Sequence, residues 1–121
     1  MFVVTGCGVP QVNVTPGFAP MTLRGRAGGA VNSGICGYIA RQPNHRVQVQ
    51  EDIDYAKLIV LNPRELMVLV NGADGSFCAT PIQGQPAQIS GYWKAGMYEI
   101  FVGRSQPHSS PDYQLLLTQE R

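Results

Sequence analysis

Charge is what this sequence has least of. Only 14% of its residues are Asp, Glu, Lys or Arg, where about a quarter is usual in a soluble domain. Nine basic residues against eight acidic ones leave a net charge of +1. There is no basic run and no interleaving of basic with aromatic residues, so nothing here would track a phosphate backbone, and nucleic acid is excluded as an expected partner. Long apolar runs are missing too. Stretches such as Leu58–Leu61 meet turn formers within a few residues, far short of the roughly 20 residues that cross a bilayer as a helix. No segment keeps a 3.6-residue period for three turns, which leaves essentially no helix to predict. At 121 residues, the chain suffices for one core and not for two.

What is present is punctuation. From Thr22 onward, short runs of Val, Ile, Leu, Tyr and Phe alternate with Gly, Pro, Asn and Asp about every ten residues, the pattern of an antiparallel sandwich or barrel. Strands are predicted over Met21–Gly25, Cys36–Ala40, Arg46–Gln50, Tyr55–Leu61, Leu66–Asn71, Ser76–Ala79, Gln88–Tyr92, Met97–Gly103 and Tyr113–Thr118. Val47 and Val49 between Arg46, Gln48 and Gln50 make the cleanest alternation. Asn71-Gly72-Ala73-Asp74-Gly75 offers two glycines for positive φ and suits a hairpin. Residues 8–20 hold three prolines and two glycines without a period, so residues 1–20 read as an extended N-terminal arm and 21–121 as a single domain. Arg24 and Arg26 among Gly25, Gly28 and Gly29 form no phosphate loop, because no helix follows to supply an N-terminal dipole.

Three cysteines are an odd count, which leaves one thiol to explain in an oxidising compartment. Cys7 closes Val4-Thr5-Gly6-Cys7, which resembles the lipobox at which bacterial prolipoproteins are cleaved and acylated. That makes Cys7 a candidate lipidation site and membrane tether. Only six residues precede it, whereas a signal peptide has about 15 to 30, and the alternative is a free thiol on a frayed arm.

Four further segments carry a resemblance: Asp54-Tyr55 opening a strand, the hairpin Asn71-Gly72-Ala73-Asp74-Gly75 after Leu66–Val70, Ala95-Gly96-Met97-Tyr98, and Asp112-Tyr113-Gln114-Leu115. Together they resemble the bacterial pre-peptidase C-terminal domain over roughly residues 35 to 118. Pro16-Gly17-Phe18 and Cys36-Gly37-Tyr38-Ile39 are similar to a branch of stand-alone secreted proteins and lipoproteins common in oxygenic photosynthetic bacteria. The resemblance implies an all-β, jelly-roll-like antiparallel sandwich of about eight or nine strands located outside the cytoplasm, a Cys36–Cys78 disulfide and no catalysis. Relatives often carry acidic and amide residues after the strand that holds Cys78. This chain has Ala79-Thr80-Pro81-Ile82-Gln83-Gly84 there. Calcium takes six to eight oxygens, and Asp74 is the only carboxylate nearby, so neither a metal nor another cofactor is expected.

Catalysis finds no constellation either. Ser105, His108, Ser109, Ser110 and Asp112 list the members of a triad, but neighbours in a Pro-flanked loop do not converge as a triad must. His45 follows Pro43-Asn44 at a strand start and reads as a surface histidine, and two histidines without other ligands at zinc spacing make no transition-metal site. Tyr92 and Trp93 beside Lys94 are a candidate carbohydrate-stacking platform, with closure of the core as the alternative for Trp93. Tyr38, Tyr55, Tyr98 and Tyr113 are expected inside.

Two functional classes remain. One is an interaction or assembly module that docks on a protein complex or on its own copies; the other is a carbohydrate-binding module of the cell envelope. Strand parity supplies a surface for the first. With Tyr98, Ile100 and Val102 inward, Phe101 faces out, and the same argument turns Met67, Leu69, Ile59, Leu61 and Leu116 outward. Such positions are ordinarily polar in a monomeric sandwich, so they are expected to form an apolar interface unless the arm folds back over them.

Overall fold

Two-residue alternation accounts for most of the strands in the computed structural model, which describes residues 9–107 and 109–121. In chain order they are β1 (Gln11–Val14), β2 (Met21–Arg26), β3 (Val31–Asn32), β4 (Tyr38–Ile39), β5 (His45–Val49), β6 (Ile53–Asn62), β7 (Met67–Gly72), β8 (Gly75–Ala79), β9 (Gln88–Trp93), β10 (Gly96–Gly103) and β11 (Asp112–Thr118). The fold is an all-β sandwich. Its first sheet runs β1-β5-β10-β7-β8 and its second β2-β11-β6-β9, while β3 and β4 pair as a separate ribbon. Val47, Val49, Ile100, Val102, Val68 and Val70 of the first sheet meet Leu58, Val60, Leu115, Leu117, Ile53 and Trp93 of the second in one core. The inward parity expected for β7, β10, β11 and for Leu58 and Val60 of β6 is the parity present. Tyr38 and Tyr55, expected inside, are only half-buried: a register shift between Ile53 and Ala56 puts Tyr55 out of phase with buried Ala56, with Arg121 over its ring at 4.1 Å.

Three expectations are corrected by the packing. Residues 11–14 are not part of an extended arm. They pair in parallel with β5, Gln11 opposite Arg46 and Val14 opposite Val49, and Val14 is buried in the core, because Val12 and Val14 alternate like a strand and β5 otherwise presents a free edge. Phe18 packs on the same core, and the Gly17 amide donates to Gln119 Oε1 at 2.6 Å. The sandwich therefore begins some ten residues before the boundary placed at 20/21.

The predicted strand over Cys36–Ala40 shrinks to Tyr38–Ile39, since Gly37 turns at φ +70°. Ser33 Oγ accepts from the Cys36 amide at 2.8 Å and donates to Gly37 O at 2.7 Å, holding the turn. The ribbon then docks on the end of β10 through paired Tyr38 and Arg104 backbone bonds of 2.7 and 3.1 Å.

That docking removes Leu69 and Phe101 from the expected interface. Both face outward from the first sheet as parity requires, yet they are only 6% and 7% exposed, packed under Cys36 and Ile39 of the ribbon with Met67 half-buried beside them. Among the described residues the cover comes from the ribbon. On the second sheet Ile59 and Leu116 are half-buried and only Leu61 is exposed. The Cys36–Cys78 disulfide is formed, with Cα atoms 5.7 Å apart, and ties the ribbon to edge strand β8. Cys7 and His108 lie outside the described residues.

Candidate binding cleft

Among the described residues, strands β8 and β9 are edge strands of the two sheets, on the same side of the sandwich. Between them opens a cavity of about 260 Å³. Its apolar lining comes from Val70, Phe77, Ile89, Tyr92, Trp93 and Tyr98, and its polar lining from Asp74, Ser90 and Lys94. A smaller notch of about 130 Å³ shares Asp74, Lys94 and Tyr98 with it.

Local sequence sets this geometry. The β7–β8 hairpin closes with Gly72 opposite Gly75. Gly75 takes φ +119°, and a Cβ on Gly72 would lie 2.8 Å from the Tyr98 ring, so the turn settles directly against an aromatic face. It carries Asp74 to the mouth of the cleft. On the next strand of the same sheet, Phe77 stands opposite Val70 and so faces the sandwich interior. Because β8 is the last strand of its sheet among the described residues, Phe77 has no strand beside it there and is 53% exposed.

The β9 wall follows the same alternation with a different outcome. Trp93 turns inward and is buried, its Nε1 donating to Ala56 O at 3.1 Å and its ring tilted against Tyr98 with centroids 4.9 Å apart. Trp93 is thus the floor of the cleft and not an exposed platform, which corrects one half of the stacking pair predicted from sequence. Tyr92, the other half, is 57% exposed. Its hydroxyl donates to Asp52 Oδ2 at 2.5 Å, and Asp52 Oδ1 accepts from the Ala95 amide at 2.8 Å. These two bonds hold the Asp52 carboxyl below its usual range, and the shared bond pushes Tyr92 above the ordinary tyrosine value. Tyr92 therefore stays neutral, with its ring fixed in place. Tyr98 donates to Lys94 O at 2.7 Å, and burial, with Asp74 nearby, pushes its hydroxyl up.

Sequence reasoning singled out the Tyr92-Trp93 segment but missed Phe77 and Asp52. The signal for Phe77 was a large aromatic in a five-residue run between an Asp-Gly hairpin and a Pro-containing connection, which marks a short edge strand whose inward side chains remain reachable.

Other features serve the fold. His45 is not a surface residue: it lies between the sheets with Nε2 2.6 Å from the Tyr113 hydroxyl, and burial lowers its pKa to about 4, so it is neutral near pH 7. Burial pushes the Tyr113 hydroxyl up. Gly25 is required above it, because a Cβ there would overlap the Tyr113 oxygen. The larger concavity nearby, about 460 Å³ and lined by Arg24, Arg26, Asn62 and Asp112, presents no exposed aromatic face, and its Arg26–Asp112 pair at 3.5 Å is open to solvent. Among the described residues no three His, Cys, Asp or Glu side chains gather as a metal site would require.

No family model matches the sequence. An uncharacterized protein of Synechococcus elongatus is 34% identical over 102 residues, which cover 81% of this chain and 75% of that protein. The chain belongs to that protein's family. In structure, this family member is similar to the pre-peptidase C-terminal domain of a collagenase from Bacillus anthracis, with a TM-score of 0.50 over 94% of this chain and 98% of that domain at 10% identity. Such an identity speaks for the fold alone, and the fold of this family member is that of a pre-peptidase C-terminal-like sandwich. Its disulfide and its fold fit an extracytoplasmic location.

Proposed function

We propose that the protein is a non-catalytic, exported recognition module that engages its partner at the β8–β9 cleft. The reading rests on one observation: Phe77 and Tyr92, from edge strands of two different sheets, line one cavity and are each more than half exposed. Scattered exposed apolar residues need no explanation. A concave site with aromatic walls and a few polar groups is the usual form of a binding site. Acylation at Cys7 would add a membrane tether. Assembly through the outer sheet faces is the weaker account, because Leu69 and Phe101 are already covered from within the chain and Ile59, Leu61 and Leu116 form only a short stripe.

The test is to titrate protein and polysaccharide fractions of the native cell envelope into isotopically labelled protein while following backbone resonances. Saturable shifts confined to Phe77, Tyr92, Tyr98 and Asp74 are expected with one fraction. Shifts centred on Ile59 and Leu116, or none with either fraction, would refute the proposal.

A further inference from the structure

We infer that the cleft takes a neutral saccharide, with one sugar ring stacked on the aromatic walls and its hydroxyls bonded to Asp74, Ser90 and Lys94. This rests on the cleft reading above and names its ligand class.

The chemistry of the lining selects for it. A pyranose has an apolar face of C–H groups and a rim of hydroxyls that both donate and accept. The C–H face suits the electron-rich face of a phenyl or phenol ring, and Phe77 and Tyr92 offer such rings at the surface. Around them stand a carboxylate that only accepts, an ammonium that only donates, and a hydroxyl that does both. A hydroxyl rim can satisfy all three. An apolar peptide side chain seated there would strip water from the same groups and return no hydrogen bonds.

Preorganisation points the same way. The Tyr92 ring is already anchored by its bond to Asp52, and Tyr98 by its bond to Lys94 O. A ligand stacking on fixed rings immobilises little that was free, which matters for a weak, one-ring contact. The volume, about 260 Å³, falls just below the roughly 300 Å³ at which pockets for drug-sized ligands begin, enough for one ring and not for a folded segment of another protein.

Charge decides between kinds of sugar. Asp74 lines the cavity, and Asp52 sits at its rim, accepting from the Tyr92 hydroxyl at 2.5 Å, so two carboxylates border the site. Lys94 is the single ammonium among the cavity's lining residues. An acidic saccharide would meet net repulsion. Strand addition by a peptide to the β9 edge is disfavoured on different grounds: Gly91 at φ +137° breaks the flat repeat of that strand, and an incoming strand needs a regular edge to pair with.

The experiment uses the full chain and a panel of neutral α- and β-linked hexaoses of glucose, galactose, xylose and N-acetylglucosamine, with hexagalacturonate as the acidic probe, each titrated to millimolar concentration. At least one neutral hexaose should shift Phe77, Tyr92 and Tyr98 saturably, and the acidic probe should not. Phe77→Leu and Tyr92→Leu keep apolar area but lose the aromatic face, and each should weaken binding by about tenfold. Phe77→Tyr and Tyr92→Phe should stay within about threefold of the parent. Unchanged resonances of the core strands β5, β10 and β11 in all four variants establish that the fold is intact. The inference is overturned if no neutral hexaose shifts the cleft, if the leucine variants bind as tightly as the parent, or if hexagalacturonate binds better. Failure of every hexaose, with cleft shifts from an envelope protein fraction, would sink the saccharide and leave the cleft standing. Silence from both fractions and hexaoses would remove the two together.

Discussion

Phe77 and Cys78 are adjacent on one short edge strand and have opposite surroundings. Cys78 faces outward from the first sheet, where its disulfide to Cys36 holds the β3–β4 ribbon across Leu69 and Phe101. Phe77 faces the other way, into the gap between β8 and β9, and remains more than half exposed. The outer face, which parity predicts to be wet, is sealed. The inner face, which parity predicts to be buried, is open at its rim. The difference lies in which side of β8 has a segment of chain held over it, and it teaches that strand parity assigns a side chain to a face without saying whether that face is covered.

The largest expected effect comes from breaking the seal. The disulfide spans 42 residues, and loss of its constraint on the unfolded chain is worth roughly 4 kcal/mol. The double variant Cys36→Ala, Cys78→Ala should therefore lose stability on that scale in a denaturant titration, and an apolar dye should begin to bind as Leu69 and Phe101 are uncovered. A variant that keeps both its stability and its dark dye signal would mean that the ribbon holds without its staple. Phe101→Ala probes the sealed face with the disulfide intact. Emptying a buried phenylalanine site typically costs about 3 to 5 kcal/mol, and the lower part of that range, about 3 kcal/mol, is expected under a thin ribbon; a loss below about 1 kcal/mol would place Phe101 at an open surface after all.

A third probe uses pH. Burial holds His45 at about 4 in the folded chain, below its ordinary 6.5. Between these values the unfolded chain takes up a proton that the native one refuses, so the stability His45 contributes is complete above about pH 6.5 and is lost as pH falls toward 4. Allowing for some solvent screening, the decline should be of order 2 kcal/mol. A pair of denaturation curves at either end of that window reads it, and a flat profile would place the imidazole in water. The smallest effect belongs to the open side. Phe77→Ser should change stability by no more than about 0.5 kcal/mol, as for other exposed positions, so that any loss of binding in that variant can be assigned to the cleft itself. A loss comparable to that of Phe101→Ala would instead make Phe77 part of the core.

Much of the framework was legible in the residues. The runs at 58–61, 66–71, 97–103 and 113–118 alternate strongly, and their inward sets follow because a period of two admits only two choices and one of them buries polar groups. Tyr55 departs from its expected side because the register shifts between Ile53 and Ala56. The short strand β1 was obscured by its prolines and glycines. The ribbon was misread as a full strand because Cys36-Gly37-Tyr38-Ile39 carries apolar residues whose coverage of Leu69 and Phe101 depends on a turn at Gly37 and on a cysteine 42 positions away. Of the cleft, Tyr92 and Trp93 stood out as aromatics beside a lysine, but their difference in exposure did not, since it depends on β9 being an edge and on the Ala56 carbonyl that accepts from the indole.

What the sequence determined alone is the all-β class, the inward sets of β7, β10 and β11 and the charge-poor composition, because these depend on local alternation and composition. Strand order, the ribbon over the outer face, the parallel seat of β1 and the gap that leaves Phe77 beside Tyr92 were decided only by the tertiary structure. Each of them is a contact between segments distant along the chain, and alternation within a segment carries no record of which distant segment will lie against it.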